Sequence, residues 1–261
     1  MRDLSLLVSA TAFAIVAPVS AADACRAASG PLVTPLVELY TSEGCDSCPP
    51  AEAWLSARFD KPRAASTIAL EFHVDYWDGP TWRDRFAAPQ YTARQYESMR
   101  ANGASFVYTP QVLLQGHDFG QWHGGDALAL DKAARTKAGA TIAIDATPGE
   151  RGLAVHARAR IDERSAAEDA HLFVAYADSG LVSNVTGGEN RGRKLVHDHV
   201  VRVFRDAGPA RSDGNIDATF TLARPAERGM QPALVAFVER ESNGDVLQAL
   251  ALPLDDCATA R

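Results

Sequence analysis

The residues with the clearest chemical potential are Cys45 and Cys48, in the run Tyr40-Thr41-Ser42-Glu43-Gly44-Cys45-Asp46-Ser47-Cys48-Pro49-Pro50. A C-x-x-C spacing lets one sulfur reach back to the other, so the pair can alternate between dithiol and disulfide by exchange with a substrate. Pro49 and Pro50 fit the first turn of a helix, where a missing N–H has no partner to lose. The pair is therefore expected at a helix N-terminus. There the dipole and unpaired backbone N–H groups favour an anion, which makes Cys45 the expected solvent-accessible nucleophile and Cys48 the resolving cysteine. Glu43 and Asp46 are like charges that oppose a thiolate at the same place. Two other readings use the same residues: a static structural bridge, and part of a metal site. Zinc wants about four ligands, and the chain has no second C-x-x-C to supply them.

Other polar residues stand near this chemistry. His73 and Asp75 fall at the carboxyl end of an apolar run, the edge where the cysteines are expected. His73 could take a proton from Cys45, join the two sulfurs around copper, or be a core histidine with a backbone partner; Asp75 could move a proton to Cys48. His197 and His199 are read on one strand face, as a metal pair or as cross-strand histidines. The glycine-rich stretch 187–193 lies between strands and leads to no helix, so it is not a phosphate loop. It is a candidate to contact the amino-terminal half and shape a substrate groove. The redox reading calls for no metal and no organic cofactor.

The elements that must position these residues follow from the apolar pattern. Residues 36–40 read as a buried strand, the stretch from Pro49 to Arg58 as a helix, and 67–75 as a second strand. Helical spacing covers 82–102, a strand entered through Thr109-Pro110 covers 108–116, and a further helix is expected within 124–139. From residue 141 onward helical periodicity gives way to about eight short alternating runs, among them 153–161 and 195–204, separated by turn signals; this suggests a β-sandwich. The expected organisation is a leader over 1–22, an α/β domain over 23–139 and an all-β sandwich-like domain over 140–261.

The order of elements in residues 33–139 resembles a thioredoxin fold. In that family the position of Thr109-Pro110 carries a cis-proline that lies against the C-x-x-C and offers backbone to a bound substrate strand. A narrower likeness rests on Glu38 to Pro50, on Phe72-His73-Val74-Asp75-Tyr76-Trp77-Asp78, on Tyr108-Thr109-Pro110-Gln111, and on Gly188-Glu189-Asn190-x-Gly192-Arg193-x-Leu195-x-His197-x-x-Val200-Val201-Arg202. Together these resemble a bacterial family of secreted thioredoxin-like proteins described as a domain of unknown function, over nearly the whole mature chain. The resemblance implies a thioredoxin-like α/β amino-terminal domain and redox chemistry at Cys45 and Cys48, with Thr109 and Pro110 binding substrate. It implies no particular substrate.

Composition bounds the rest. With 46% hydrophobic residues in 261, the chain can bury sizeable cores; a net charge of −7, with its 26 basic residues scattered, disfavours nucleic-acid binding. The apolar stretch from Leu4 to Val19, followed by Val19-Ser20-Ala21, reads as a secretory signal cut after Ala21 or Ala22. No other stretch approaches the length of a membrane span, so the mature chain is expected off the membrane, in a periplasmic or extracellular setting. Cys25 and Cys257 have no local partner and are expected to pair with each other, the alternative being free or intermolecular thiols. The implied partners are a thiol-containing protein or small-molecule substrate and a redox protein that recharges the pair.

Overall fold

The computed structural model describes residues 25–59, 67–255 and 257, so the expected leader lies outside the described residues. The first part of the chain forms β1 (Cys25–Ala28), β2 (Leu36–Thr41), α1 (Pro49–Arg58), β3 (Ile68–His73), α2 (Pro89–Ala101), β4 (Gln111–Leu114), β5 (His117–Asp118) and α3 (Asp126–Ala134). The remainder forms β6 (Ala140–Gly149), β7 (Gly152–Ile161), α4 (Arg164–Ala167), β8 (Ala170–Ser179), β9 (Leu181–Asn184), β10 (Lys194–His197), β11 (Val200–Pro209), β12 (Asn215–Leu222), β13 (Met230–Arg240) and β14 (Val246–Pro253).

Every residue of β2 and β3 is buried, which demands cover on both faces and a partner at each edge. Along β2 the period of two divides the cover: Leu36 and Tyr40 pack with Phe72 and Tyr91 of α2, while Val37 and Leu39 pack with Leu55 of α1 and Leu130 of α3. The open edge of β3 is taken by β11, parallel to it with Val200 opposite Glu71, and the Glu71 N–H donates to the His199 carbonyl at 2.8 Å. The result is one eight-stranded sheet in the order β14-β13-β8-β11-β3-β2-β4-β5.

This sheet corrects the expected fold class of an α/β thioredoxin-like amino-terminal domain followed by an all-β domain. Among the described residues strand accounts for 44% and helix for 16%, and no α/β thioredoxin-like amino-terminal domain stands out. The physical reason is the edge of β3: backbone groups that an isolated α/β unit would leave to solvent are satisfied by a strand from the carboxyl-terminal part.

A second sheet, in the order β1-β6-β7-β12, lies against the far end of the first. Ile142, Ile144, Val155 and Ala157 share a core with Leu172, Val174, Leu234 and Leu250, the packing of a β-sandwich. Cys25, opposite Ala146 in this sheet, is bonded to Cys257, so a disulfide ties the start of the described chain to its end.

On the α2 face of the large sheet sits a buried cation. The Arg94 guanidinium makes two hydrogen bonds to Glu38 of β2, at 2.9 and 3.0 Å, and one to Glu239 of β13, at 2.6 Å. It also lies 4.9 to 5.7 Å from the ring centres of Phe72, Phe173, Phe204 and Phe237. A hydrogen-bonded pair of carboxylates compensates the desolvation of the guanidinium, and the aromatic faces add to the attraction.

Two local readings of the sequence change. The helix expected over 82–102 begins at Pro89, because Ala88 before that proline is extended; residues 82–88 run as a loop instead. The strand expected over 195–204 breaks in two at His199, which adopts φ of 60°. β10 then pairs with β9 in a separate two-stranded sheet, and His197 and His199 do not share a strand face.

Candidate functional site

Cys45 and Cys48 are joined by a disulfide between the end of β2 and the start of α1, where Cys48 is the capping residue. Both are fully buried, whereas Asp46 and Ser47 between them are exposed. The accessible thiol expected at Cys45 is therefore covered. The cover is polar: the Asn190 side-chain amide donates to the carbonyls of Glu43 and Cys45 at 2.9 and 2.8 Å, and Glu189 accepts from the Asp46 N–H at 3.2 Å. The glycine-rich stretch thus contacts the amino-terminal half, as its sequence suggested, and does so at the dithiol loop, which the sequence did not specify.

The helix end also offers less to an anion than its sequence suggested. Pro49 and Pro50 carry no N–H, and the Ala51 N–H is already bonded to the Cys48 carbonyl at 2.9 Å. What remains near Cys45 is the helix dipole and the Ser47 hydroxyl, 3.3 Å from the sulfur.

Beside this loop the ends of β2, β3 and β10, the first turn of α1 and the loop 82–88 bring together Glu43, Glu52, Glu71, His73, Asp84 and His197, all buried. His73 lies between two carboxylates, with Nδ1 2.6 Å from Asp84 and Nε2 2.8 Å from Glu71. Asp84 is held in turn by the backbone N–H groups of Glu43 and Phe86, each at 2.9 Å. Thr41 donates to Glu52 at 2.6 Å, and Trp82 donates to Glu43 at 3.1 Å. His197 is different: Glu71 and Glu52 lie 3.2 and 3.6 Å from Nδ1 and Glu43 lies 3.4 Å from Nε2, yet neither ring nitrogen has an aligned hydrogen bond.

The electrostatics follow from burial and proximity. Burial pushes the Glu52 carboxyl up to about 7, with Glu71 adding to the rise. Burial alone would lower His197, but Glu43 and Glu71 outweigh it and lift the ring to about 9. At His73 the same penalty is overcome by Asp84 and then Glu71, so its pKa is well above the usual histidine range. Burial would raise Glu71, but contact with His197 and His73 holds it below the usual carboxylate range.

The other residues singled out in the sequence fall around this centre. The Thr109-Pro110 bond is cis. Trp77 links that segment to the dithiol loop: its indole N–H donates to the Thr109 hydroxyl at 2.8 Å, and its Cβ lies only 3.0 Å from where a side chain on Gly44 would begin. Asp75 bonds Thr92 of α2, which donates to its carboxylate at 2.5 Å. A cleft of about 690 Å³ lined by Leu114, Ala133, Lys137 and Leu247 includes none of these residues.

A stretch covering residues 36–239 matches a family described as a protein of unknown function, DUF1223, and includes the dithiol loop and the whole buried cluster. The chain belongs to the DUF1223 family. The likeness read from the motifs is shown at the level of this family. A comparison with curated proteins finds no match. Among solved structures this DUF1223 chain is similar to protein AGR_C_4864 from Agrobacterium tumefaciens, at 24% identity over 86% of this chain and 96% of that one, with a TM-score of 0.62. It is also similar to HBP35 of Porphyromonas gingivalis, at 17% identity over 87% of this chain and 77% of that one, with a TM-score of 0.59. At these identities the likeness concerns the fold alone.

Sequence reasoning missed Glu43, Glu52, Asp84 and Asn190 as members of this centre of the DUF1223 chain. Glu71 carried a signal, being a carboxylate inside the apolar run Ile68-Ala69-Leu70-Glu71-Phe72, where burial requires a partner. The two disulfides agree with a secreted protein, and no described helix is long and apolar enough to cross a membrane.

Proposed function

We propose that Cys45 and Cys48 are the redox centre of a periplasmic thiol–disulfide oxidoreductase. The observation that carries this reading is the setting of the pair: the cysteines flank two exposed residues, Asp46 and Ser47, on a loop held by the side chain of Asn190. Displacing Asn190 would free the loop that carries the first cysteine. In the reduced protein the Cys45 thiolate attacks one sulfur of a substrate disulfide, forming a mixed disulfide and expelling the second substrate sulfur as thiolate. Cys48 then attacks Cys45, the Cys45–Cys48 bond forms, and the first substrate sulfur leaves; one substrate disulfide becomes two thiols as the dithiol is oxidised. The reverse sequence oxidises a substrate dithiol. The Ser47 hydroxyl, 3.3 Å from the Cys45 sulfur, is placed to donate to its thiolate. Trp77 holds the Thr109-Pro110 segment to the same loop, where a substrate strand could lie.

The full burial of both cysteines favours one competing reading, a fixed structural bridge. Equilibration of the full chain with glutathione, followed by alkylation and peptide mapping of Cys45 and Cys48, decides between them. A potential within the range of known oxidoreductases, about −120 to −270 mV, is the expected result; a value below about −300 mV sinks the catalytic reading.

A further inference from the structure

His73 and His197 are set among carboxylates in the same order, His73 by hydrogen bonds and His197 by proximity alone. Each ring has a carboxylate on its outer nitrogen, Asp84 at 2.6 Å from Nδ1 of His73 and Glu43 at 3.4 Å from Nε2 of His197. Each turns its inner nitrogen toward one oxygen, Oε1 of Glu71, at 2.8 and 3.2 Å. Carboxylates behind the imidazoles are the usual way a protein fixes the orientation and basicity of histidines that ligate a metal. The three inner atoms lie within 4.8 Å of one another, and among the described residues no other group of this kind occurs. Tetrahedral bonds of about 2.0 to 2.1 Å place neighbouring ligand atoms about 3.3 Å apart, so the two short edges need to open only by tenths of an ångström.

A second observation points to a missing partner. His197 is fully buried and neither of its ring nitrogens has an aligned hydrogen bond; Oε2 of Glu71 and Oε1 of Glu43 are also buried without one. Such groups are costly in a protein interior unless something satisfies them. The cluster gathers four carboxyl groups around two imidazoles, so buried oxygen donors outnumber the nitrogens they surround.

We propose that His73 Nε2, His197 Nδ1 and Glu71 form a buried site for a divalent first-row transition cation, with Zn²⁺ the best fit to two imidazoles and a carboxylate. Glu52 Oε2 lies 3.6 Å from His197 Nδ1 but stands outside the set of three, so the protein supplies three ligands and a fourth position is left to a further donor. The site would tie β3 to β10 beside the dithiol loop. Binding requires the inner nitrogen of each imidazole to give up its proton, so loading releases protons to the buffer. The cysteines take no part.

The test uses the full chain with both disulfides intact, unfolded in chelator and refolded with or without Zn²⁺ or Co²⁺. One zinc per chain, a higher unfolding midpoint with zinc, and a Co²⁺ spectrum with d–d bands but no sulfur-to-metal charge transfer are expected. C45S/C48S should keep the metal. His197→Gln should bind at least tenfold more weakly, and Asp84→Asn, which leaves the three ligands in place, about 10- to 100-fold more weakly. Refolded protein that holds no stoichiometric zinc overturns the proposal. So does binding unchanged in both His197→Gln and Asp84→Asn, or binding lost in C45S/C48S.

Discussion

The side-chain amide of Asn190 stands 2.8 Å from the carbonyl oxygen of Cys45, a residue 145 positions earlier in the chain. With its second bond, to Glu43, it clamps the loop that carries the first cysteine. Replacing Asn190 with alanine takes the side-chain donor from the Glu43 carbonyl and leaves the Cys45 carbonyl with the longer bond from the Cys48 N–H at 3.3 Å, and should cost about 1–3 kcal/mol. The Cys45–Cys48 bond should then be reduced faster by a mild dithiol than in the unaltered protein. Timed alkylation with peptide mapping reads this directly, and an unchanged rate would mean that Asn190 is not the cover.

Cys25–Cys257 should behave independently of that loop. Its bond spans a sequence separation of 232 and pins β1 to the chain's far end. Cys257→Ala is expected to lower stability by about 2–5 kcal/mol in denaturant unfolding. The reduction rate of Cys45–Cys48 should stay as it was; a coupled change would contradict the separation of the two disulfides.

Arg94→Met leaves Glu38 and Glu239 buried without their cation and should destabilise by about 3–5 kcal/mol. The loss should depend on pH. Burial holds the Glu239 carboxyl above its ordinary range, against the lowering pull of Arg94. Removing Arg94 raises it further. A carboxyl whose folded pKa exceeds its unfolded value stabilises fully below the unfolded pKa and loses that contribution as pH rises through the folded one. The deficit of Arg94→Met relative to wild type should therefore be larger at pH 8 than at pH 5. Equal deficits at the two values would show that the carboxylates are not what the missing cation leaves exposed.

Gly44 is required by contact rather than by backbone conformation. A methyl group there would stand 3.0 Å from the Trp77 Cβ and 3.2 Å from its carbonyl oxygen. Gly44→Ala should cost about 1–3 kcal/mol through overpacking. Because half the clash is with backbone, Trp77→Gly in the same chain should relieve only part of it. A double-mutant cycle of unfolding free energies measures the coupling, and a value near zero would remove the contact from the account.

Much of the local structure can be read from residue types. The start of α1 follows from Pro49-Pro50, and β2 and β3 from short apolar runs. The strands after residue 140 follow from alternation and turn residues. These are short-range effects, set by backbone geometry and by which face of an element is apolar. Cys45 and Cys48 are legible for the same reason, since a ring closed by neighbours needs no distant residue.

What the sequence could not reveal is where the edge of β3 ends up and what gathers around it. Seen as a linear chain, 33–139 completes an α/β unit; in three dimensions β11 takes that edge and merges both parts into one sheet. The break at His199 ends β10 at His197, and the loop 82–88 runs free of helix to deliver Asp84. Burial of the cysteines, the grouping of His73 with His197, and the cover by Asn190 all depend on that long-range pairing. The sequence by itself determined the elements and the dithiol, because those depend on neighbours along the chain. The tertiary structure decided the single large sheet and the buried carboxylate–imidazole centre, because unpaired strand edges and buried charges are satisfied only by residues that folding brings together.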